Sequence, residues 1–283
     1  PERTLEGRAL EELRRLPQIV SGLTEQAVAR STRLFSRITP AIVRVSSVET
    51  AEVIKLVDNT HRDITFSISN EIAQFCDTAG IDAIEVIRQG AQGYERTNLP
   101  IPGPVGGPCL SKDPYIFVES FRRGDQAPRI AATARAVNRS VPGHLARAAY
   151  DWLKQAGGVT EQPRVLLLGM AFKGRPETDD LRGSITLDVR DAIAETFAGP
   201  DFVGWDPVVR PEAIEAVGVC GKVSIEDAFD GADLVVLANN HPIWSSIELS
   251  RLAASMRRPA LIYDLWNNFE RRTLSLPKGV TYM

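Results

Sequence analysis

The sequence predicts an α/β chain: a central all-helical segment followed by a Rossmann-like, doubly wound parallel sheet. Three observations predict it. From Pro163 onward, short apolar runs such as residues 164–169 (RVLLLG) alternate with helical stretches, as in a parallel sheet with helices on both faces. The middle third carries apolar residues at steps of three and four and has no strand alternation, the mark of helices. The first 45 residues place two short strand runs around one amphipathic helix, the closing edge of another α/β unit. The division expected is therefore residues 1–45, a helical residues 46–157, a linker and a sheet over residues 163–283.

The elements follow in order. Strands are expected at residues 18–20 and 41–45, with a helix at 24–36 between them. Ser46 and Glu49 have capping-box spacing ahead of a long helix. Its apolar residues Ile54, Val57, Ile64, Ile68, Ile72 and Phe75 share a face with His61, which reads as a core histidine. Gly80 ends that helix. A second helix is expected near 83–89, then a Pro/Gly-rich loop at 98–108. Asp113-Pro114 starts another helix as cap and first-turn pair, and a long helix at 128–156 has a bend expected at Pro142-Gly143. After a linker at 157–162, further strands are expected at 201–205, 233–238 and 259–264. Helices are expected at 184–197, 211–217, 225–229 and 247–256.

Composition excludes several classes. Hydrophobic residues make up 43% and charged residues 24% of 283, enough for real cores. The net charge is −3 without a basic patch, so no nucleic-acid partner is expected. No apolar run reaches the roughly 18–20 residues that span a bilayer, so no membrane partner is expected either. Cys76, Cys109 and Cys220 are widely spaced. An odd count without CxxC fits a reducing, cytoplasmic setting and no metal site. The chain begins at Pro1 rather than Met, and is expected to be a piece of a longer protein. No G-x-G occurs in it. The sheet is therefore not expected to hold NAD in the usual way, but to meet a nucleotide at its strand ends, where helix N-termini face phosphate.

The strongest local signal is Gly106-Gly107-Pro108-Cys109-Leu-Ser-Lys112-Asp113. Glycines let backbone approach a ligand closely. A cysteine just before a helix start, with a lysine three residues on, has features that favour thiolate; a surface turn with an incidental cysteine has the same composition. Lys55 and Asn59 stand four apart on the long helix, so they project together. They suit an oxyanion or a solvated helix face. Glu2 and Glu6 form a carboxylate pair suited to acid/base work or an exposed terminus. Lys173 follows the first strand of the sheet and suits a phosphate. Arg182, after Thr178-Asp179-Asp180, reads as structural, and Trp205 as packing.

In order, these segments carry a resemblance. Pro1-Glu2-Arg3 with Gly7-Arg8, Glu52-Val-Ile-Lys55 with Asn59, and Asn70-Glu71 are followed by Gly106-Gly107-Pro-Cys109 with Lys112-Asp113. Gly169-Met-Ala-Phe172-Lys173 and Asp179-Asp180-Leu-Arg182 close the set. The chain resembles the UDP-glucose/GDP-mannose dehydrogenase superfamily along its whole length, most of all the branch acting on UDP-N-acetylhexosamines, UDP-N-acetylmannosamine in particular. The resemblance implies an NAD-binding Rossmann domain of which only the last edge is present, a helical dimerisation domain giving a homodimer, and a UDP-sugar-binding domain. It implies two-step, NAD-dependent oxidation of a sugar C6 alcohol to a carboxylate, with Cys109 holding thiohemiacetal and thioester. Lys55 and Asn59 would steady the oxygen on C6, and Asp113 would orient the lysine and a water. Glu2 and Glu6 would stand near the sugar. Phe172, Lys173, Gly106 and Gly107 would meet the substrate, Arg96 the neighbouring subunit's site, and Lys112 and Arg182 the cofactor. Glu6, Pro108, Gly183 and Trp266 depart from the branch, where proline, histidine, glutamate and arginine are usual, and leave the sugar open. The reading from another class is a non-catalytic sugar-nucleotide-binding or dimerisation module. The set Lys55, Asn59, Cys109 and Asp113 favours the enzyme. These residues alone are not expected to hold NAD or turn over.

Overall fold

A computed structural model describes residues 2–5, 7–120 and 127–283. The chain is α/β, and it opens with α1 (Ala9–Arg15), β1 (Gln18–Val20), α2 (Glu25–Phe35) and β2 (Ile42–Arg44). β1 and β2 pair in parallel, Gln18 opposite Ile42. Thr24 caps α2 by accepting from the Ala27 amide at 3.2 Å, which satisfies a donor the helix cannot. α1 was not expected from the sequence.

The long helix α3 (Val48–Ala79) ends at Gly80, whose φ of 67° closes it in the left-handed region. Its cap is Ser47, not Ser46: the Ser47 hydroxyl accepts from the Thr50 amide at 3.0 Å. The apolar stripe is not its buried face. The buried residues are Ala51, Thr60, Asp63, Ser67, Ser69, Asn70 and Cys76, small or polar side chains, and the helix packs mainly on α6 (Arg129–Ala156), to which Asp63 and Asn70 bond. Val57, Ile68 and Phe75 stay exposed. His61 is exposed with them, so it is not the core histidine expected. Between the two long helices lie α4 (Ala83–Ala91), capped by Asp82, and α5 (Asp113–Ser120). α6 runs as one helix through Pro142 and ends at Gly157.

The second half contains β3 (Arg164–Leu168), α7 (Ile185–Thr196), β4 (Asp201–Trp205), α8 (Pro211–Glu215), β5 (Cys220–Gly221), α9 (Ile225–Phe229), β6 (Leu234–Leu237), α10 (Leu249–Leu252), β7 (Ala260–Asp264) and β8 (Val280–Tyr282). The sheet order is β5-β4-β3-β6-β7-β8, every pair parallel. Alternate residues of β3 enter opposite cores. Val165 and Leu167 pack with Leu145, Ala149 and Leu153 of α6 and Val189 and Ile193 of α7. Leu166 and Leu168 pack with Phe229, Leu252 and Tyr282. Trp205 packs beside Trp244, ring centres 6.1 Å apart. The helix expected at 247–256 is broken into α10 and a 3-10 turn, Ala253–Ser255. No helix among the described residues is long and apolar enough to cross a membrane. Strand order reverses at β3, so the crevice at the carboxyl ends of β3 and β6 is where such sheets take ligands. The helical segment faces that crevice.

Candidate active site

A cleft of about 550 Å³ lies between α3, the turn that follows Pro104, the segment after β3 and the first residues of the chain. Lys55 and Asn59, one helical turn apart on α3, both line it, and so does Cys109. The Cys109 side is a compact turn. Its carbonyl accepts from the amides of Asp113 at 2.9 Å and Lys112 at 3.2 Å, and the cysteine itself is exposed.

Behind this turn Asp113 is 1% exposed. Its carboxylate accepts from Asn59 Nδ2 and from Lys112 Nζ, both at 2.5 Å. A buried carboxylate needs such partners. The lysine bonded to Asp113 is thus Lys112, not the Lys55 that the resemblance implied. The Asp113 hydrogen bond pushes the Lys112 ammonium above its ordinary range. Lys55 makes no ion pair or hydrogen bond among the described residues, which leaves its ammonium to the cleft.

Gly106 and Gly107 dock the turn onto the sheet. Gly107 has φ +89°, its amide donates to the Gly183 carbonyl at 2.7 Å, and a Cβ there would stand 2.5 Å from the Phe172 ring. A Cβ on Gly106 would meet the Gly183 carbonyl at 2.6 Å. Phe172 and Lys173 therefore reach the cleft beside Cys109, with the Lys173 ammonium 5.0 Å from the Phe172 ring centre. The Phe172 amide donates to the Asp180 carbonyl at 3.0 Å. Asp180 pairs with Arg182 at 2.6 Å, and those hydrogen bonds hold its carboxyl below the usual range.

Glu2 lines the cleft and accepts the Thr4 hydroxyl. Arg3 holds this segment in place, donating to the Pro17 carbonyl at 2.9 Å and meeting Asp58 at 3.5 Å. Glu6 lies outside the described residues. Four predicted site residues do not line the cleft: Asp113, buried behind Asn59, Arg96, stacked 4.7 Å over the Tyr94 ring, Lys112 and Arg182. Residues missed in the sequence include Phe66, Arg175 and Asn240, all lining it. Phe66 stands seven residues past Asn59 on α3, a two-turn step that carried the signal.

An adjoining cavity of about 360 Å³ shares Phe66, Arg175, Asn240 and Trp266 and adds Arg88 and His241. It opens beside the carboxyl ends of β6 and β7, and its two guanidiniums, Arg88 and Arg175, suit an anionic group. Trp266 divides the two spaces. Its Nε1 donates to the Ala238 carbonyl at 3.0 Å, and its ring stands edge-on to Phe66 with centres 6.3 Å apart.

Comparison with known proteins gives concordant matches. Residues 49–140 match the central domain of the UDP-glucose/GDP-mannose dehydrogenase family, and residues 166–271 match that family's UDP binding domain. A UDP-N-acetyl-D-mannosamine dehydrogenase of Pyrococcus horikoshii is 30% identical over 263 residues, covering 93% of this chain and 59% of that protein. An NDP-N-acetyl-D-galactosaminuronic acid dehydrogenase of Ralstonia nicotianae is 31% identical over 254 residues, 89% of this chain and 57% of that one. The solved UDP-D-ManNAc dehydrogenase from Pyrococcus horikoshii superposes with a TM-score of 0.84 at 29% identity, over 100% of this chain and 62% of the other. The chain spans less than two thirds of the length of each of these relatives. With both domain models matched in the order the fold lays them out, the chain belongs to the UDP-glucose/GDP-mannose dehydrogenase family.

Proposed function

We propose that this chain carries the sugar site and the covalent nucleophile of a nucleotide-sugar 6-dehydrogenase, with a UDP-N-acetylhexosamine as substrate. One observation carries the reading: Cys109, Lys55 and Asn59 line a single cleft, with Asp113 bonded behind Asn59. The sugar enters beside Cys109. The diphosphate extends past Trp266 toward Arg175 and Arg88, whose guanidiniums offset its charge, with His241 beside them.

The chemistry assigned to the chain's own residues is covalent capture. The C6 alcohol loses a hydride and a proton to become an aldehyde. The Cys109 sulfur adds to that carbonyl carbon and forms a thiohemiacetal, so the aldehyde does not escape. Lys55 and Asn59 donate to the oxygen on C6, where negative charge collects. Loss of a second hydride from C6 and of the hydroxyl proton gives a thioester. Water then adds to its carbonyl, the carbon–sulfur bond breaks, the thiolate leaves and the carboxylate departs. Gly106 and Gly107 seat the Cys109 turn against the Gly183 carbonyl and the Phe172 ring, Phe172 and Lys173 close the far side of the sugar, and Glu2 stands at the mouth.

Two hydrides require an acceptor, and NAD is the one the family implies. The residues present do not fit it. The chain has no G-x-G turn, β1 and β2 are two strands alone, and the cations assigned to its side, Lys112 and Arg182, are tied to Asp113 and Asp180. In this reading the acceptor is held outside these residues. The exposed α3 stripe is the homodimer face, Arg96 serves the neighbouring subunit's cleft, and the compartment is the reducing cytoplasm.

The test uses protein extended to the length of the relatives, supplied with NAD and a panel of UDP-sugars. A UDP-N-acetylhexosamine is expected to give two NADH per carboxylate formed. Cys109→Ser is expected to lose at least about a thousandfold in carboxylate formation. Wild-type output from the serine variant would overturn the covalent role.

A further inference from the structure

Beneath the Cys109 turn, a row of buried polar side chains joins α3 to α6, and none of them lines the cleft. Asp63 and Asn138 are 0% exposed, Asn70 4% and Arg135 5%. Arg135 Nη1 donates to Asp63 Oδ1 at 2.9 Å and to the Leu110 carbonyl at 2.8 Å. Asn138 Nδ2 donates to the same Asp63 oxygen at 2.8 Å, and Asn138 Oδ1 accepts from Asn70 Nδ2 at 3.0 Å. Asn70 then clasps Gly103 from both sides, donating to its carbonyl at 3.0 Å and accepting its amide at 2.9 Å.

Burying an ion pair and two amides between helices costs several kcal/mol before their mutual bonds offset it, and apolar side chains of similar volume often do as well. Helix packing alone does not account for this set, because its two ends leave the helices. One end stops on the backbone of Gly103, the other on Leu110, next to the cysteine. The stretch that carries Gly106, Gly107 and Cys109 is thereby pinned at both ends to one rigid network.

We infer that Arg135 and Asn70 are positioning residues for Cys109: through Leu110 and Gly103 they fix where the sulfur stands over the sugar. This rests on the dehydrogenase reading. A misplacement of an ångström at a reacting atom is enough to cost about a hundredfold in rate, so a network of this rigidity has a purpose at that distance.

The experiment needs no hydride acceptor. Alkylation of the 283-residue chain by iodoacetamide is followed residue by residue by mass spectrometry. Exposed Cys220 serves as the internal reference. Saturating UDP-N-acetylglucosamine is expected to slow labelling of wild-type Cys109 by about tenfold, and that of Arg135→Gln by less than about threefold, with UDP affinity held within about threefold. Arg135→Lys, which keeps charge and donors, is expected to retain most of the protection. Arg135→Gln leaves the Asp63 charge buried without its cation; should it not fold, Asn70→Ser keeps the ion pair and is expected to lose protection in the same way. Full protection in a variant that binds UDP overturns the inference. Absence of protection in the wild type overturns the dehydrogenase reading instead. The unliganded rate ratio of Cys109 to Cys220 then decides the positioning, with a shift of at least about threefold expected in Arg135→Gln and none in Arg135→Lys.

Discussion

At Gly107 two constraints coincide: a backbone at φ +89° and an aromatic ring where a Cβ would stand. Gly80 has the first constraint alone, φ +67° with open space around it. Gly80→Ala is therefore expected to cost about 1 kcal/mol, and Gly107→Ala roughly 2–4 kcal/mol, because Phe172 must also move. Thermal unfolding of the two variants side by side checks this; equal losses would remove the ring from the account. The sequence signalled a close approach at Gly106 and Gly107 and assigned it to a ligand; the groups that approach are Phe172 and the Gly183 carbonyl, and contacts across the fold leave no local pattern. Lys55 and Asn59 were legible because helical spacing alone projects them together. The partner of Asp113 was not. Lys112 is its chain neighbour across a turn, and only the tertiary path of that turn brings its ammonium back. Arg135 and Asn138 were invisible for a different reason. Polar residues on a helix read as a solvated face, and here that face is the packed one.

The same inversion governs α3 as an element. Its small and polar side packs on α6, and its apolar side, Val57 at 45%, Ile68 at 43% and Phe75 at 66% exposure, faces outward. A contiguous stripe of this kind on a 32-residue helix calls for a cover, and the proposed cover is the same helix of a second copy. The chain is expected to be dimeric by light scattering at micromolar concentration, and Ile68→Glu with Phe75→Glu to be monomeric with its helix content retained. A wild-type monomer under those conditions would sink the proposal. Periodicity thus located the helix and its apolar face but not which neighbour that face meets. Strands of four residues or more were legible as apolar runs, whereas β5, two residues long, and β8 were not. Both sit on the outer edges of the sheet and take their conformation from the strand beside them. The break in the helix expected at 247–256 has the same origin, in tertiary packing overriding a local pattern.

On the scale of the whole molecule, α6 is the element that makes one body of helices and sheet. Arg135, near its start, reaches the carbonyl beside Cys109, and Leu153, near its end, is 0% exposed in the core beneath β3. A helix of 28 residues is about 42 Å long at 1.5 Å per residue, enough to carry a disturbance in the sheet core to the cleft. Leu153→Ala removes most of a fully buried side chain and is expected to cost about 2–5 kcal/mol. If α6 couples the two halves, calorimetry gives a single transition for the wild type and a single, lower one for the variant. Protection of Cys109 by a sugar nucleotide then disappears at that lower temperature too. Two resolved transitions, with only the sheet's moving, would mean that the helices fold independently. The cleft would then be a junction between separately stable parts, and its geometry would have to be fixed locally, at Trp266 and Gly107, rather than through α6.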